Sequence, residues 1–138
     1  MREPIEPKWR RRLELPVDVG AYAFNPTLLP SGEGLLCIYR HVAGGGMRTL
    51  RACRLDETFA AHDVYDWSAE AQALGAEQTW FADPRAFRFG DRRFVSFNTG
   101  HSESPNGLYL TEISASGRPL ALPTKLRKQL KLVEQAVN

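Results

Sequence analysis

The chain has 138 residues, of which 43% are hydrophobic and 25% are charged, and its formal net charge is +2. This composition is ordinary for one globular domain, and so small a net charge gives no argument for a nucleic-acid partner. No stretch approaches the roughly 18 apolar residues of a membrane span, and residues 1–12 lack the apolar region of a secretory signal. We therefore expect a cytoplasmic protein that binds neither nucleic acid nor membranes.

The residues that most often hold metals or cofactors form no recognisable pattern. Cys37 and Cys53 are too few for a disulfide framework, and we expect two reduced thiols packed as small hydrophobic side chains. The three histidines have no metal-ligand spacing, and neither a lysine nor a helix start follows the triple glycine at 44–46. The sequence thus predicts no metal and no cofactor.

The chain repeats itself with an offset of 58 residues. The segment FNPTLLPSGEGLLCIYR (24–40) aligns without a gap on ADPRAFRFGDRRFVSFN (82–98), and the same offset sets TLRACRLDET (49–58) on GLYLTEISAS (107–116). An X-Pro pair, a turn glycine and two apolar runs recur in this register. Such a long-period repeat indicates two copies of one supersecondary unit.

Each copy is predicted to consist of β-strands. The short apolar runs PTLLP and GLLCIYR, and then PRAFRF and RRFVSFN, are joined by the glycine-containing hairpin turns SGEG and GD. A longer loop and a third strand follow in each copy, and residues 62–80 predict an outer strand with a short helix at SAEAQALGAE. Near the C-terminus, amphipathic helical spacing is shown by Leu126, Leu130, Val133 and Val137.

Three or four antiparallel strands in every copy of a long repeat predict the blades of a β-propeller. We assign residues 1–138 to one domain, with blade-like repeats at about 20–78 and 79–119 and a tail at 120–138. An immunoglobulin-like sandwich of about seven strands is the alternative. Because propellers close with roughly four to eight blades, we expect either a fragment of a longer propeller, which we favour, or self-association through open sheet edges.

Equivalent residues at the start of each innermost strand would line one central pocket. Asn25 and Asp83 hold this position, and each precedes a proline, which suits a strand start and pushes the preceding residue into an extended conformation. Asp83, with Arg85 two residues later, is the candidate catalytic residue, as a general acid or base near a sugar hydroxyl. The alternative is that Asn-Pro and Asp-Pro only initiate turns.

The stretches FNPTLL, GLLCIYR, MRTLRACRLDETF and FADPRAFRFGDRRFVSFN resemble the five-bladed propeller enzymes that process glycosides, and most closely the β-mannoside phosphorylase branch. The resemblance spans residues 22–113. It rests on Asn25-Pro26, on Tyr39-Arg40, on Asp56 in the turn after the third strand, and on Asp83-Pro84-Arg85. It implies an all-β fold: a partial, about two-bladed, five-bladed β-propeller with a short C-terminal amphipathic segment.

By this similarity the pocket binds a carbohydrate and inorganic phosphate, and Asn25, Arg40, Arg48 and Asp83 face it. We include Arg85 and Asn98 among the substrate-binding residues. Two departures bear on catalysis: Ala82 stands where the family has a glutamate, and the third to fifth blades, which carry further acids, lie outside the chain. The expected function is therefore binding of, or action on, glycans by a fragment or truncated relative of a glycosidase or phosphorylase. A non-catalytic glycan-binding or protein-interaction module is the alternative.

Overall fold

The computed structural model describes residues 12–32, 34–100 and 106–126. Within these ranges the chain forms strands and one short helix, in the order β1 (Tyr22–Ser31), β2 (Gly34–Val42), β3 (Arg48–Leu55), β4 (Ala61–Asp66), α1 (Trp67–Ala73), β5 (Ala82–Phe89), β6 (Arg92–Asn98), β7 (Leu108–Ile113) and β8 (Thr124–Lys125).

The strands form two antiparallel sheets in which each strand pairs with its neighbour in the chain. Sheet 1 has the order β1-β2-β3-β4 and sheet 2 the order β5-β6-β7-β8, and neither sheet closes on itself. The all-β prediction is thereby confirmed, and so are the outer strand and short helix expected in residues 62–80. The 58-residue repeat corresponds to β1–β3 in sheet 1 and β5–β7 in sheet 2.

The predicted hairpin turns lie where the glycines indicated. Gly32 and Gly90 occupy the β1–β2 and β5–β6 turns with φ of 57° and 63°, a left-handed conformation that glycine adopts without a steric penalty. At the start of α1, the carboxylate of Asp66 accepts a hydrogen bond from the Ala69 amide and caps the helix.

The prediction that the prolines hold Asn25 and Asp83 in an extended conformation is wrong. Their φ angles are 46° and 51°, in the left-handed region that asparagine and aspartate tolerate better than other side chains. Each residue lies in a β-bulge, where the pairing register shifts between Phe24 and Thr27 in sheet 1 and between Ala82 and Arg85 in sheet 2. A bulge inserts one extra residue and re-aims the side chains beside it.

The two sheets pack face to face around a buried aromatic group. Phe97 stacks on Tyr109 at 5.4 Å between ring centroids, and lies 5.0 Å from Phe81 and 5.7 Å from Trp67, the first residue of α1. The indole Nε1 of Trp67 donates to the carbonyl of Gly117, so that the helix after sheet 1 is tied to the last turn of sheet 2. This core joins the two repeats into one unit.

The sheets pack head to tail. Leu36, Ile38 and Leu50 contribute the face of sheet 1 that meets sheet 2, whereas sheet 2 contributes Val95 and Phe97. In the 58-residue register, Val95 and Phe97 correspond to Cys37 and Tyr39, which lie on the opposite face of sheet 1. Each contact between the sheets therefore joins two different faces of the repeat.

Two faces of the repeat remain outside this contact. The first is the face of sheet 1 around Cys37 and Tyr39, which is covered by Leu13 and Leu15 of the segment 12–18, here called the strap. The second is here called the open face of sheet 2. Its residues are equivalent, in the 58-residue register, to the residues of sheet 1 that pack against sheet 2. It includes Phe87 and Leu108, which are 41% and 47% exposed, and Phe94, which stacks on Phe87.

The predicted C-terminal amphipathic segment lies outside the described residues, apart from Leu126. Before it, the two residues of β8 add a fourth strand to sheet 2 within the segment assigned to the tail. The helix in the described part of the chain is too short to cross a membrane.

Replacing Phe97 by alanine tests the aromatic core. The side chain is completely buried, so Phe97→Ala leaves a cavity between the sheets, and we expect the free energy of unfolding to fall by about 3–5 kcal/mol. Phe89→Ala in the same sheet is the matched control, because Phe89 is 76% exposed, and its cost should stay within about 0.5 kcal/mol. Denaturant unfolding measures both values. Equal losses in the two variants would contradict the assignment of this core.

Candidate functional site

The candidate site lies at the end of the two sheets where β1 and β5 begin and β2 and β6 finish. We call it the Asp83 cluster, and its members are Asn25, Arg40, Asp83 and Asn98. Asn25 and Asp83 are equivalent in the 58-residue register, and so are Arg40 and Asn98. Each sheet thus supplies one residue from the bulge of its first strand and one from its second strand.

The carboxylate of Asp83 is the centre of the cluster. Its Oδ1 accepts hydrogen bonds from Asn25 Nδ2 at 2.5 Å and from Arg40 Nη1 at 3.2 Å, and its Oδ2 accepts one from Asn98 Nδ2 at 2.9 Å. Two of the three donors belong to sheet 1, so these bonds connect the sheets. Nearby, the amide of Ala86 donates to Thr27 Oγ1 at 2.9 Å and makes a further connection between β5 and β1.

The surroundings favour the ionised form of Asp83. The hydrogen bond from Asn98 contributes most to a pKa below the ordinary value of 3.8, and the bond from Asn25 and the charges of Arg40 and Arg85 act in the same direction. Partial burial opposes them. At neutral pH the group is therefore a carboxylate, which accepts protons and hydrogen bonds, rather than an acid that donates a proton.

The carboxylate can still accept a ligand. An ionised carboxylate offers about four acceptor positions, of which the cluster uses two on Oδ1 and one on Oδ2. The side chain of Asp83 is 41% exposed, whereas that of Arg40 is only 10% exposed. Asp83 thus combines a fixed orientation with an oxygen that solvent or a ligand hydroxyl reaches.

Two arginines on the same face of sheet 1 have N–H groups without a hydrogen-bond acceptor among the described residues. Arg40 and Arg48 are diagonal neighbours across β2 and β3, since Arg40 pairs with Leu50 and Arg48 with Val42. The Nε atoms of both are buried and have no hydrogen-bond partner among the described residues. The Arg48 guanidinium lies 4.9 Å from the ring centroid of Trp80, whose indole nitrogen is also buried and unpartnered within that part of the chain. Buried hydrogen-bond donors without a partner are rare in folded proteins, so these groups are candidates to bind an acceptor on a ligand.

Aromatic side chains and a further cation flank the cluster. The guanidinium of Arg40 lies 4.5 Å from the ring centroid of Phe24, and Phe24 packs edge-on against Tyr22 at 6.5 Å. Both rings are about half exposed. Arg85 is exposed on β5. Its charge acts on the Asp83 carboxylate, although the structure shows no direct hydrogen bond between these two described residues.

The structure brings most of the residues selected from the sequence to one end of the sheets. Asn25, Arg40, Asp83 and Asn98 are in direct contact, and Arg48 and Arg85 lie on strands that reach the same end. The contacts of Arg40 with Phe24 and of Arg48 with Trp80 were not predicted. The 58-residue register aligns Arg40 with Asn98, so their equivalent positions in the two sheets could be predicted from the sequence.

Other residues named in the resemblance do not join the cluster. Asp56 lies at the other end of sheet 1, where hydrogen bonds from His62, from the Thr58 hydroxyl and from the amides of Ala60 and Thr58 lower the pKa of its carboxyl group. Ala82, which stands where the family has a glutamate, is 1% exposed and packs in the interior.

The described residues contain no group of three or more His, Cys, Asp or Glu side chains arranged to hold a metal ion. Comparison with known protein families, with curated proteins and with solved structures finds no match to this chain.

Asp83→Asn tests the electrostatic role of the cluster. The substitution removes the charge that faces the buried Arg40 guanidinium, and we expect it to lower the free energy of unfolding at pH 7 by roughly 1–3 kcal/mol, after allowance for solvent screening. Since the folded-state pKa lies below 3.8, this contribution is present above that value and is lost as the pH falls through the folded-state pKa.

The difference in stability between wild type and Asp83→Asn should therefore shrink below pH 3.8. Denaturant unfolding from pH 7 to pH 2.5 measures it, with Asp91→Asn in the exposed β5–β6 turn as the control. A difference that is independent of pH, or an equal loss in Asp91→Asn, would show that Asp83 does not act as the charged centre of the cluster.

Proposed function

We propose that the two sheets are consecutive blades of a five-bladed β-propeller, and that the Asp83 cluster binds a carbohydrate at its central channel. The head-to-tail packing supports the first part, because a contact between two different faces repeats and forms a ring when its rotation closes. The innermost strands would be β1 and β5, whose bulges hold Asn25 and Asp83. The open face of sheet 2 would receive the next blade, in the way that the equivalent face of sheet 1 receives sheet 2.

The observation that carries the proposal of carbohydrate binding is the accessible oxygen of Asp83 within a preorganised set of amides and a guanidinium. Sugar hydroxyls both donate and accept hydrogen bonds, so a site with a carboxylate acceptor and amide and guanidinium donors is chemically complementary to them. The half-exposed rings of Tyr22 and Phe24 offer apolar surface beside these polar groups, as ligand pockets usually do.

Inorganic phosphate is the second ligand that we propose. The guanidinium groups of Arg40 and Arg48 each retain a buried Nε donor without a partner among the described residues. Arginine binds phosphate with charge-assisted and often bidentate hydrogen bonds, and an anion beside these two residues would satisfy both donors. In this arrangement the sugar contacts Asp83 and the phosphate contacts the arginines.

Binding is the part of the function that these residues support without help from others. Cleavage of a glycosidic bond uses two carboxyl groups on either side of the bond, one of which acts as an acid. Asp83 is the one carboxylate with hydrogen bonds in the cluster among the described residues, and its lowered pKa keeps it ionised as an acceptor for a hydroxyl group but makes it a weak base. Phosphorolysis or hydrolysis would need an acid supplied from outside this part of the chain.

A non-catalytic glycan-binding module is the second candidate function. Ala82 favours it, because this residue stands where the resembled enzymes carry a pocket glutamate and is itself buried. The two candidates share the ligand and differ in turnover. Phosphate-dependent release of mannose 1-phosphate from β-linked manno-oligosaccharides would favour the enzyme, and saturable binding without turnover would favour the module.

Amide NMR spectra of the folded chain test carbohydrate binding directly. The side-chain Nδ2 groups of Asn25 and Asn98 donate to Asp83, so their resonances report on its surroundings. We expect saturable shifts of these two resonances on titration with β-linked manno-oligosaccharides, and a loss of affinity of at least tenfold in Asp83→Asn, which corresponds to about 1.4 kcal/mol. Asp91→Asn should bind as the wild type does.

The result that would overturn the proposal is the absence of such shifts up to roughly 10 mM ligand, above the millimolar affinity that corresponds to about −4 kcal/mol. Unchanged binding in Asp83→Asn would also overturn it, because the site would then lie elsewhere. A parallel titration with inorganic phosphate should move resonances near Arg40 and Arg48, and Arg48→Gln should reduce that response.

The propeller proposal predicts self-association through the open face of sheet 2. Light scattering coupled to size exclusion should show a mass that rises with protein concentration, and Phe87→Glu should return the chain to a monomer by placing a charge on that face. Val64→Glu, at a similarly exposed residue of the edge strand β4, is the control. A wild type that stays monomeric at every concentration, or sensitivity to Val64→Glu instead of Phe87→Glu, would contradict this packing.

A further inference from the structure

Cys37 and Cys53 lie directly opposite each other on neighbouring strands. They are register partners in the antiparallel pair of β2 and β3. Facing residues in such a pair have Cα atoms about 4.5–5.5 Å apart, which lies inside the range of about 4.4–6.8 Å that a disulfide bond requires. Both sulfur atoms are present as free thiols. The backbone therefore already holds the two residues at a spacing that a cross-strand disulfide needs.

The two thiols also interact with each other. The interaction between the two side chains lowers the pKa of Cys53, and the same interaction together with burial raises the pKa of Cys37. A thiolate is the reactive form of cysteine, so Cys53 is the better nucleophile of the pair. Cys37 is placed to react second.

Hydrophobic side chains cover the two thiols. Cys37 and Cys53 are 0% and 1% exposed and belong to an apolar cluster with Tyr39, against which Leu13 and Leu15 of the strap pack. The strap belongs to no strand or helix. Phe59 and Ala61 also pack against this cluster, but they lie in the β3–β4 connection and in β4, so the strap is the part of the cover that could move away from sheet 1 by itself.

Three polar contacts hold the strap on the sheet. The Tyr39 hydroxyl donates to the carbonyl of Pro16 at 2.6 Å, Arg51 Nη2 pairs with Asp18 at 2.7 Å, and the Asp18 amide donates to His41 Nε2 at 3.2 Å. The Asp18 side chain is 66% exposed, and ion pairs with this exposure contribute little to stability. The strap thus has the features of a segment that opens locally while the sheets stay folded.

We propose that Cys37 and Cys53 are a redox-active dithiol beneath the strap, and that a peroxide oxidises it to an intramolecular disulfide between β2 and β3. The facing register on β2 and β3 supplies the geometry, and the strap sets the access. This modification site is separate from the Asp83 cluster, which lies on the opposite face of β2, and does not depend on the proposed carbohydrate function.

The reaction balances with one molecule of hydrogen peroxide. The Cys53 thiolate attacks one peroxide oxygen and the O–O bond breaks, which gives a sulfenic acid and hydroxide, and the hydroxide takes up the proton released by Cys53 to form water. The sulfur of Cys37 then attacks the sulfur of Cys53 and expels the second hydroxide, which leaves as water with the proton of Cys37. Two thiols lose two electrons, and peroxide is reduced to two molecules of water.

The test uses the full chain, first reduced and then treated with hydrogen peroxide. We expect the intact mass to fall by two hydrogen atoms, both thiols to disappear together, and the product to remain a single chain on a non-reducing gel. Trypsin cuts at the arginines between the cysteines, so the disulfide should join peptide 13–40 to peptide 52–54, and dithiothreitol should separate them. Dimers linked by disulfides, or independent oxidation of each cysteine to the sulfinic acid, would overturn the proposal.

Variants of the strap test the access. Tyr39→Phe removes the hydrogen bond to Pro16, and because one such bond contributes about 1 kcal/mol, the rate of disulfide formation should rise by roughly fivefold. Tyr22→Phe, at an exposed tyrosine of β1, is the matched control and should leave the rate unchanged. Equal rates in all three proteins would contradict the role of the strap.

Single-cysteine variants test the order of reaction. Cys37→Ser keeps a polar hydroxyl group opposite Cys53 and should accumulate a sulfenic acid at Cys53 that dimedone traps, whereas Cys53→Ser should react more slowly than Cys37→Ser does. The reverse order would contradict the assignment of Cys53 as the first nucleophile. If either variant fails to fold, peptide mapping of the wild-type chain still decides whether the disulfide forms.

Discussion

A carboxylate that leaves bulk water requires hydrogen-bond donors that replace the water it loses, and three donors among the described residues reach Asp83 at the junction of the two sheets. Asn25 and Arg40 come from sheet 1 and Asn98 from sheet 2. Because Arg40 is almost buried, its charge depends on this carboxylate in turn. These mutual requirements determine how β1 and β5 lie relative to each other. They therefore also determine the shape of the candidate pocket.

The frame that presents this carboxylate is built from two copies of one unit. The bulges in β1 and β5 put Asn25 and Asp83 in the left-handed conformation, which turns both side chains toward a shared point. Below them, the aromatic core around Phe97 fixes the two sheets against each other. Packing therefore determines where the strands begin, and the polar contacts determine how the first residues of those strands are oriented.

The sequence predicted the strands, the glycine turns and the approach of Asn25 to Asp83, because apolar runs and X-Pro pairs recur at a fixed offset. It did not predict the left-handed backbone at these residues, since the preference imposed by the following proline is outweighed by the bulge. It also missed the strap over Cys37 and Cys53 and the contact of Arg48 with Trp80. These contacts join segments distant in the chain, so local patterns carry no signal for them.

A double-mutant cycle between Asn25→Ala and Asp83→Ala tests whether Asp83 connects the two sheets, because these equivalent residues belong to different sheets and meet only if the cluster forms. We expect a coupling energy of about 1 kcal/mol or more in the free energy of unfolding at pH 7, which disappears at a pH low enough to protonate Asp83. If the effects of the two substitutions are additive to within roughly 0.3 kcal/mol at pH 7, the residues act independently and Asp83 does not connect the two sheets.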